Sequence, residues 1–156
     1  MCDNILGALL NIDGKSKDNL QARLDLNDWG IRKELHPVDL NRGRMYLPPA
    51  CYSMSMKERE IFCKVLHTIK VPDGYSSNIS RNVQIKEKKI SGLKTHDCHI
   101  LMQQLLPIAL RSSMKPEVCI VLVQLCAFFN QLCSKVINIQ EFEQLESQIA
   151  IKLWNL

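Results

Sequence analysis

The chain has 156 residues, 46% of them apolar, and carries 20 Lys/Arg against 16 Asp/Glu for a net charge of +4. This length bounds it to about one domain with a buried core, and the ordinary apolar share excludes disorder throughout. Its seven cysteines are an odd number without a C-x-x-C pair. They read as reduced thiols in a reducing, intracellular compartment, with Cys119, Cys126 and Cys133, seven apart, as core residues. No basic segment followed by an apolar run opens the chain, so no secretory signal is visible. Residues 118–129 are almost wholly apolar but shorter than the roughly 20 residues that span a bilayer, which predicts a buried helix and no membrane partner.

In chain order, a first helix is expected over residues 3–12, where Ile5, Leu6, Leu9 and Leu10 form a stripe that breaks at Asp13-Gly14. Ser16 is positioned to cap a second helix carrying Leu20 and Leu24. From Trp29 to Tyr52, glycines, prolines and the lack of sustained periodicity predict an extended connector. Ser55 and Glu58 then form a capping-box pattern that opens a helix with Ile61, Phe62, Val65, Leu66 and Ile69 on its apolar face. Val71-Pro72-Asp73-Gly74 has turn chemistry. Residues 76–94 are polar and basic, with Val83, Ile85 and Ile90 leaving a short strand or helix open. Thr95 is the expected N-cap of a helix over 96–112, followed by helices over 116–136 and 139–156. Pro107 should kink or divide the first of these, whereas Pro116 sits in a first turn, where proline is tolerated. The expected fold is mainly α: an array of about five to six helices with an extended basic connector in the middle and room for a short β element.

The apolar stripe of the first helix starts with almost no preceding chain, and that of the last runs to the final residue without a glycine or proline stop. Both ends therefore look cut. The expected division is 1–52, N-terminal helices and proline-containing connector, and 53–156, a truncated helical domain.

Residues 1–115 hold 18 Lys/Arg against 12 Asp/Glu, and residues 116–156 hold 2 against 4. Within the basic part, Arg81, Lys86, Lys88, Lys89 and Lys94 face only Glu87, an excess suited to non-specific contact with a DNA backbone. Lysines in a loop more commonly form a solvated surface, and no stacking aromatics interleave with these. His96, Asp97, Cys98 and His99 invite a metal reading, with His96, Cys98 and His99 as ligands. A tetrahedral site would need partners from Cys51, Cys63, His67 or His36, which no spacing rule predicts. The structural alternative is stronger: Thr95 and Asp97 satisfy the helix start, and Cys98 begins the stripe Cys98, Leu101, Met102, Leu105. A cysteine nucleophile with His99 or His67 as base is conceivable, but most of the cysteines lie in apolar surroundings that raise a thiol's pKa. No Gly-rich phosphate loop, G-x-S-x-G elbow or H-E-x-x-H occurs. No catalytic residue, cofactor or small-molecule substrate is indicated.

Several segments taken together carry a resemblance. They are Asp3-Asn4-Ile5-Leu6-Gly7 with Leu9-Leu10-Asn11-Ile12, Ala22-Arg23-Leu24-Asp25-Leu26, Gly30-Ile31-Arg32 with Glu34-Leu35-His36-Pro37, and Tyr46-Leu47-Pro48-Pro49-Ala50-Cys51-Tyr52. Gly74-Tyr75-Ser76-Ser77-Asn78-Ile79, the run from Gly92 to Pro107, and Phe128-Phe129-Asn130 with Cys133-Ser134-Lys135-Val136-Ile137 continue it. In this order they resemble the domain of unknown function C-terminal to the catalytic core of plant CACTA (En/Spm-type) transposases. The resemblance implies a nuclear setting and a fragment of a longer frame whose catalytic carboxylates lie upstream, outside this chain. It implies a non-catalytic accessory role, in assembly with the rest of a transposase or in non-specific DNA contact. The alternative is a helical protein–protein interaction module whose partner is another helix or a second copy.

Overall fold

The computed structural model describes residues 2–12, 14–41, 43–70 and 78–154. The chain is mainly α, with six helical rods among the described residues and two two-stranded antiparallel sheets. It divides into two compact units, residues 3–53 and residues 54–156.

In the first unit, α1 (Cys2–Leu9) buries Leu6 and Leu9. The chain then turns so tightly that a Cβ on Gly7 would lie 2.6 Å from the Lys15 carbonyl oxygen, a backbone approach only glycine permits. The second helix, α2 (Leu20–Asp28), is capped by Asn19, whose side-chain oxygen accepts the Ala22 N–H at 3.0 Å. Ser16 is therefore not the cap; its hydroxyl instead accepts the Asp18 N–H at 3.0 Å. The expected connector is only partly extended. It holds a 3-10 turn (Lys33–Leu35) and a hairpin of β1 (Val38–Asp39) and β2 (Met45–Tyr46), with Val38 opposite Tyr46.

The connector is anchored at Arg23, which is 3% exposed. Its guanidinium donates from Nε to Asp18 Oδ1, from a second nitrogen to Asp18 Oδ2 at 2.6 Å, and from the third to the Leu35 carbonyl at 3.0 Å. Tyr52 donates its hydroxyl to Asp18 Oδ2 at 3.0 Å. One carboxylate thus ties the start of α2 to the far end of the connector. The fork-to-carboxylate geometry is the strong form of a charged hydrogen bond.

The second unit begins with α3 (Met56–Thr68). Its capping box is complete: Ser55 Oγ accepts the Glu58 N–H at 3.3 Å and Glu58 accepts the Ser55 N–H at 2.7 Å. Its buried face is Phe62, Cys63 and Leu66; Ile61, expected on that face, is exposed, because the helix is turned to put the small Cys63 inward. The Val71–Gly74 turn and Tyr75 to Ser77 lie outside the described residues. A 3-10 turn (Ile79–Asn82) leads into the hairpin of β3 (Val83–Gln84) and β4 (Lys89–Ile90), which packs on α3.

Next comes a continuous rod made of α4 (Thr95–Ile100), a π segment (Leu101–Leu105) and α5 (Leu106–Ser113). Pro107 explains the π segment. Its ring would clash with a carbonyl one α-turn back, and it has no N–H to donate. Widening the preceding turn, so that the Leu106 N–H reaches the Leu101 carbonyl five residues back, places Pro107 in the first turn of a fresh helix. The expected division at Pro107 thus takes the form of a π turn without a break, and Leu101, Met102, Leu105 and Leu106 remain buried.

The α5 segment packs between α3 and α6 (Pro116–Leu132), and α6 packs on α7 (Ile139–Trp154), where the rings of Phe128 and Phe142 stand 4.7 Å apart. Helix α6 is half-buried: Val118, Cys119, Val121 and Cys126 point inward while Ile120 is 52% exposed. Cys133, expected in the core, is exposed because α6 ends at Leu132 and the heptad spacing ceases to define a face there. Among the described residues no helix is long and apolar enough to cross a membrane.

The Arg23 hydrogen bonds hold the Asp18 carboxyl below its ordinary pKa, so its stabilisation is complete above about pH 4 and is lost as pH falls through the lower folded value. Burial pushes the Tyr52 phenol up to about 12, so the tyrosine's contribution is intact below about pH 10 and is lost as pH rises toward about 12. Replacing Asp18 by Asn leaves a buried guanidinium without its counter-charge and should cost about 3 kcal/mol in urea unfolding. Tyr52→Phe should cost about 1 kcal/mol and remove the alkaline sensitivity. Unchanged acid and alkaline unfolding midpoints in both variants would refute this account.

Candidate functional site

Two groups of polar side chains stand out in the second unit. The first is the basic surface around β3 and β4. Val83 pairs with Ile90 and Gln84 with Lys89. Because side chains alternate across a strand, Val83 and Ile90 are buried while Gln84 and Lys89 turn away from α3. The four-residue loop 85–88 closes with the Lys88 N–H on the Ile85 carbonyl at 3.3 Å, and Lys88 sits in the left-handed region at φ 52°.

The structure groups the five cations on one polypeptide stretch but does not leave them equally available. Lys89 pairs with Glu87 at 2.5 Å. Lys88 lies close enough to help hold the Glu60 carboxyl below its ordinary range, after the larger effect of Lys64, whose ammonium bonds Glu60 at 2.6 Å. Arg81, Lys86 and Lys94 are exposed, and no ion pair engages them among the described residues. Exposed pairs such as Lys89–Glu87 contribute only about 0–1 kcal/mol, so a polyanion can compete for Lys89.

The second group is at the start of α4. Lys94 is the capping residue and Thr95 the first helical one, a shift of one position from the expected Thr95 cap. A lysine side chain has no acceptor, so only half of a capping box forms: the Asp97 carboxylate, 3% exposed, accepts the Lys94 N–H at 3.0 Å. Preceding this cap, Gly92 has φ 77°, and a Cβ there would stand 3.2 Å from the Asn82 amide nitrogen, which donates to the Ser91 carbonyl at 3.0 Å. That contact closes the open end of the hairpin, three residues ahead of the helix cap.

His96 is exposed, whereas Cys98 and His99 are half-buried. His99 Nδ1 lies 3.8 Å from Cys133 Sγ, and its ring stands 5.6 Å from that of Phe129. The histidines considered as further ligands are engaged elsewhere: His67 Nδ1 is 3.2 Å from the Ser80 carbonyl and His36 Nε2 is 2.8 Å from the Ile31 carbonyl. Cys63 is buried and its thiol is pushed up by desolvation. Among the described residues no group of three or more His, Cys, Asp or Glu is placed to hold a metal ion. Nothing local in the sequence points to Cys133 as the neighbour of His99, since 34 residues separate them.

In the first unit an open cleft of about 450 Å³ is bordered by Asn4, Ala8, Asp18, Arg23, Trp29 and Tyr52. Trp29 is 71% exposed on its rim. The nearby charges balance, Lys17 and Arg23 against Asp18 and Asp25, so the cleft has no net preference for an anion or a cation.

Comparison with protein-family models, with curated proteins and with solved structures finds no match to this chain.

Because Gly92 needs a positive φ and lies against Asn82, Gly92→Ala should destabilise the chain by about 1–2 kcal/mol. Lys88→Gly removes a left-handed lysine and should be neutral or stabilising by up to about 1 kcal/mol. Thermal unfolding of the two variants checks the opposite signs.

Proposed function

We propose that this chain is a non-catalytic accessory segment of a CACTA-type transposase, acting in the nucleus through helical assembly and weak, non-specific contact with DNA. The observation that carries this reading is that segments bearing the resemblance meet in space within each unit. Arg23, Leu35 and Tyr52 come from three of them and share one hydrogen-bonded cluster. His99, Phe129 and Cys133 come from the later ones and form another. Within each unit the segments that bear the resemblance belong to one packed arrangement, which supports reading them together and not piece by piece.

The DNA contact is assigned to Arg81, Lys86 and Lys94, with Lys88 and Lys89 supplementary because carboxylates face them. Three phosphate contacts give a plot of log K against log[salt] with a slope of about −3. Fluorescence anisotropy with a short duplex should show this slope, equal affinity for unrelated sequences, and loss of binding when all three residues are changed to Gln. Salt-independent retention, or retention by the triple variant, would sink the DNA assignment.

A second reading, a helical interaction module, is favoured by the turn between α6 and α7, where Leu132, Val136, Ile137 and Ile139 are all exposed and Val136 is 84% so. Clustered apolar exposure of this kind is a feature of interaction surfaces. Light scattering should then give a mass that rises with concentration, and Val136→Asp with Ile139→Asp should return it to the monomer value. A monomer mass at every concentration would set self-association aside.

A further inference from the structure

We propose that the cleft between α1 and α2 binds an unpaired nucleobase, stacked on the indole of Trp29. The site lies wholly within residues 3–53 and uses none of the hairpin lysines, so it does not rest on the DNA contact assigned to them.

Two helix faces make the cleft. Asn4 and Ala8, four apart on α1, line one side, and Ala22, Asp25 and Trp29 follow at helical spacing along α2 and its C-cap on the other. Alanines on both sides leave open a space of about 450 Å³, within the range of about 300–1,000 Å³ usual for small-ligand sites. Behind it the wall is fixed, because Asp18, Arg23 and Tyr52 are committed to hydrogen bonds with one another.

The other lining groups are free to meet a ligand. Trp29 has its N–H on the Asp25 carbonyl at 3.0 Å, yet the residue is left 71% exposed, so most of its ring surface is available to a second flat ring. Asn4 and Lys17 make no side-chain hydrogen bond or ion pair among the described residues. The Asp25 carboxylate accepts from Gln21 on Oδ1 at 3.1 Å, which leaves Oδ2 open.

These groups select the ligand. Lys17 and Arg23 balance Asp18 and Asp25, which favours a neutral ring over a free cation or anion. A plain hydrocarbon ring would satisfy the indole and leave the Asp25 carboxylate and the Asn4 amide without partners. A nucleobase answers all three: its face stacks on Trp29, its N–H groups donate to Asp25 Oδ2, and its remaining edge pairs with the amide. Lys17, at the border of the cleft, can then take the attached phosphate. Inside a duplex the same edge is paired and both faces are stacked, so the base has to be unpaired.

The test uses the full chain carrying Trp154→Phe, which leaves Trp29 as its one tryptophan, and reads the fluorescence of that indole. Cytidine monophosphate and a short single strand of mixed sequence should each quench it, and the ratio of their affinities tells whether a free nucleotide or a strand is the better source of the base. The same strand in a blunt duplex should not quench. In anisotropy with the labelled strand, Trp29→Ala should weaken binding at least about tenfold, Ala22→Leu should do likewise by filling the cleft, and Trp29→Phe, which keeps a stacking ring, should retain most of the affinity. Circular dichroism establishes that each variant is folded. Changing Arg81, Lys86 and Lys94 together to Gln should leave quenching by the mononucleotide unaltered. The proposal is overturned if neither mononucleotide nor strand quenches Trp29, if the duplex quenches as strongly as the strand, or if Trp29→Ala binds as tightly as the parent. Strand binding lost in the triple Gln variant but kept in Trp29→Ala would leave the hairpin contact standing and remove the base site.

Discussion

Among the described residues three polar ones are buried, Arg23, Asp97 and Ser113, and the requirement that each find a hydrogen-bond partner shapes the local structure around it. Arg23 is the most demanding, because a guanidinium removed from water costs several kcal/mol unless it is fully paired. It takes both oxygens of Asp18 and the Leu35 carbonyl, and Asp18 in turn takes the Tyr52 hydroxyl. A connector with little regular hydrogen bonding of its own is thereby held at two points. Asp97 answers the same requirement at a helix start, and Ser113 at a helix end, where its hydroxyl donates to the Ala109 carbonyl at 2.8 Å.

Elsewhere in residues 54–156 backbone donors and acceptors are managed by the choice of helix type. The π segment ahead of Pro107 lets an uninterrupted apolar face continue through a residue that would otherwise break the rod. The hairpin contributes Val83 and Ile90 to the buried side and sends its charged residues outward, so the basic surface is a by-product of the same alternation that anchors it. Carboxylates set against Lys88 and Lys89 temper that surface.

The polar groups around α4 divide between structure and chemistry. Asp97 accepts a hydrogen bond at the helix start, His96 is exposed, and His99 lies beside Cys133 of α6's end. What looks in the sequence like one compact cluster is therefore three separate situations. A six-residue helix turns its side chains through more than a full circle, so neighbours in sequence need not share surroundings.

The sequence by itself determined the mainly α class, the capping box at Ser55 and Glu58, the interruption at Pro107 and the apolar stripe through Leu101, Met102 and Leu105. All of these depend on interactions within about four residues. Two local expectations differ from the structure: Ser16 as the cap of α2, where Asn19 serves, and Ile61 on the buried face of α3, where Cys63 lies. Packing and backbone direction chose Asn19 and Cys63. Only the tertiary structure decided that Arg23 is buried, that Tyr52 reaches Asp18 across 34 residues, and that Cys133 leaves the core to meet His99. Those outcomes depend on where distant segments come to rest, and no periodicity or cap signal encodes that position locally.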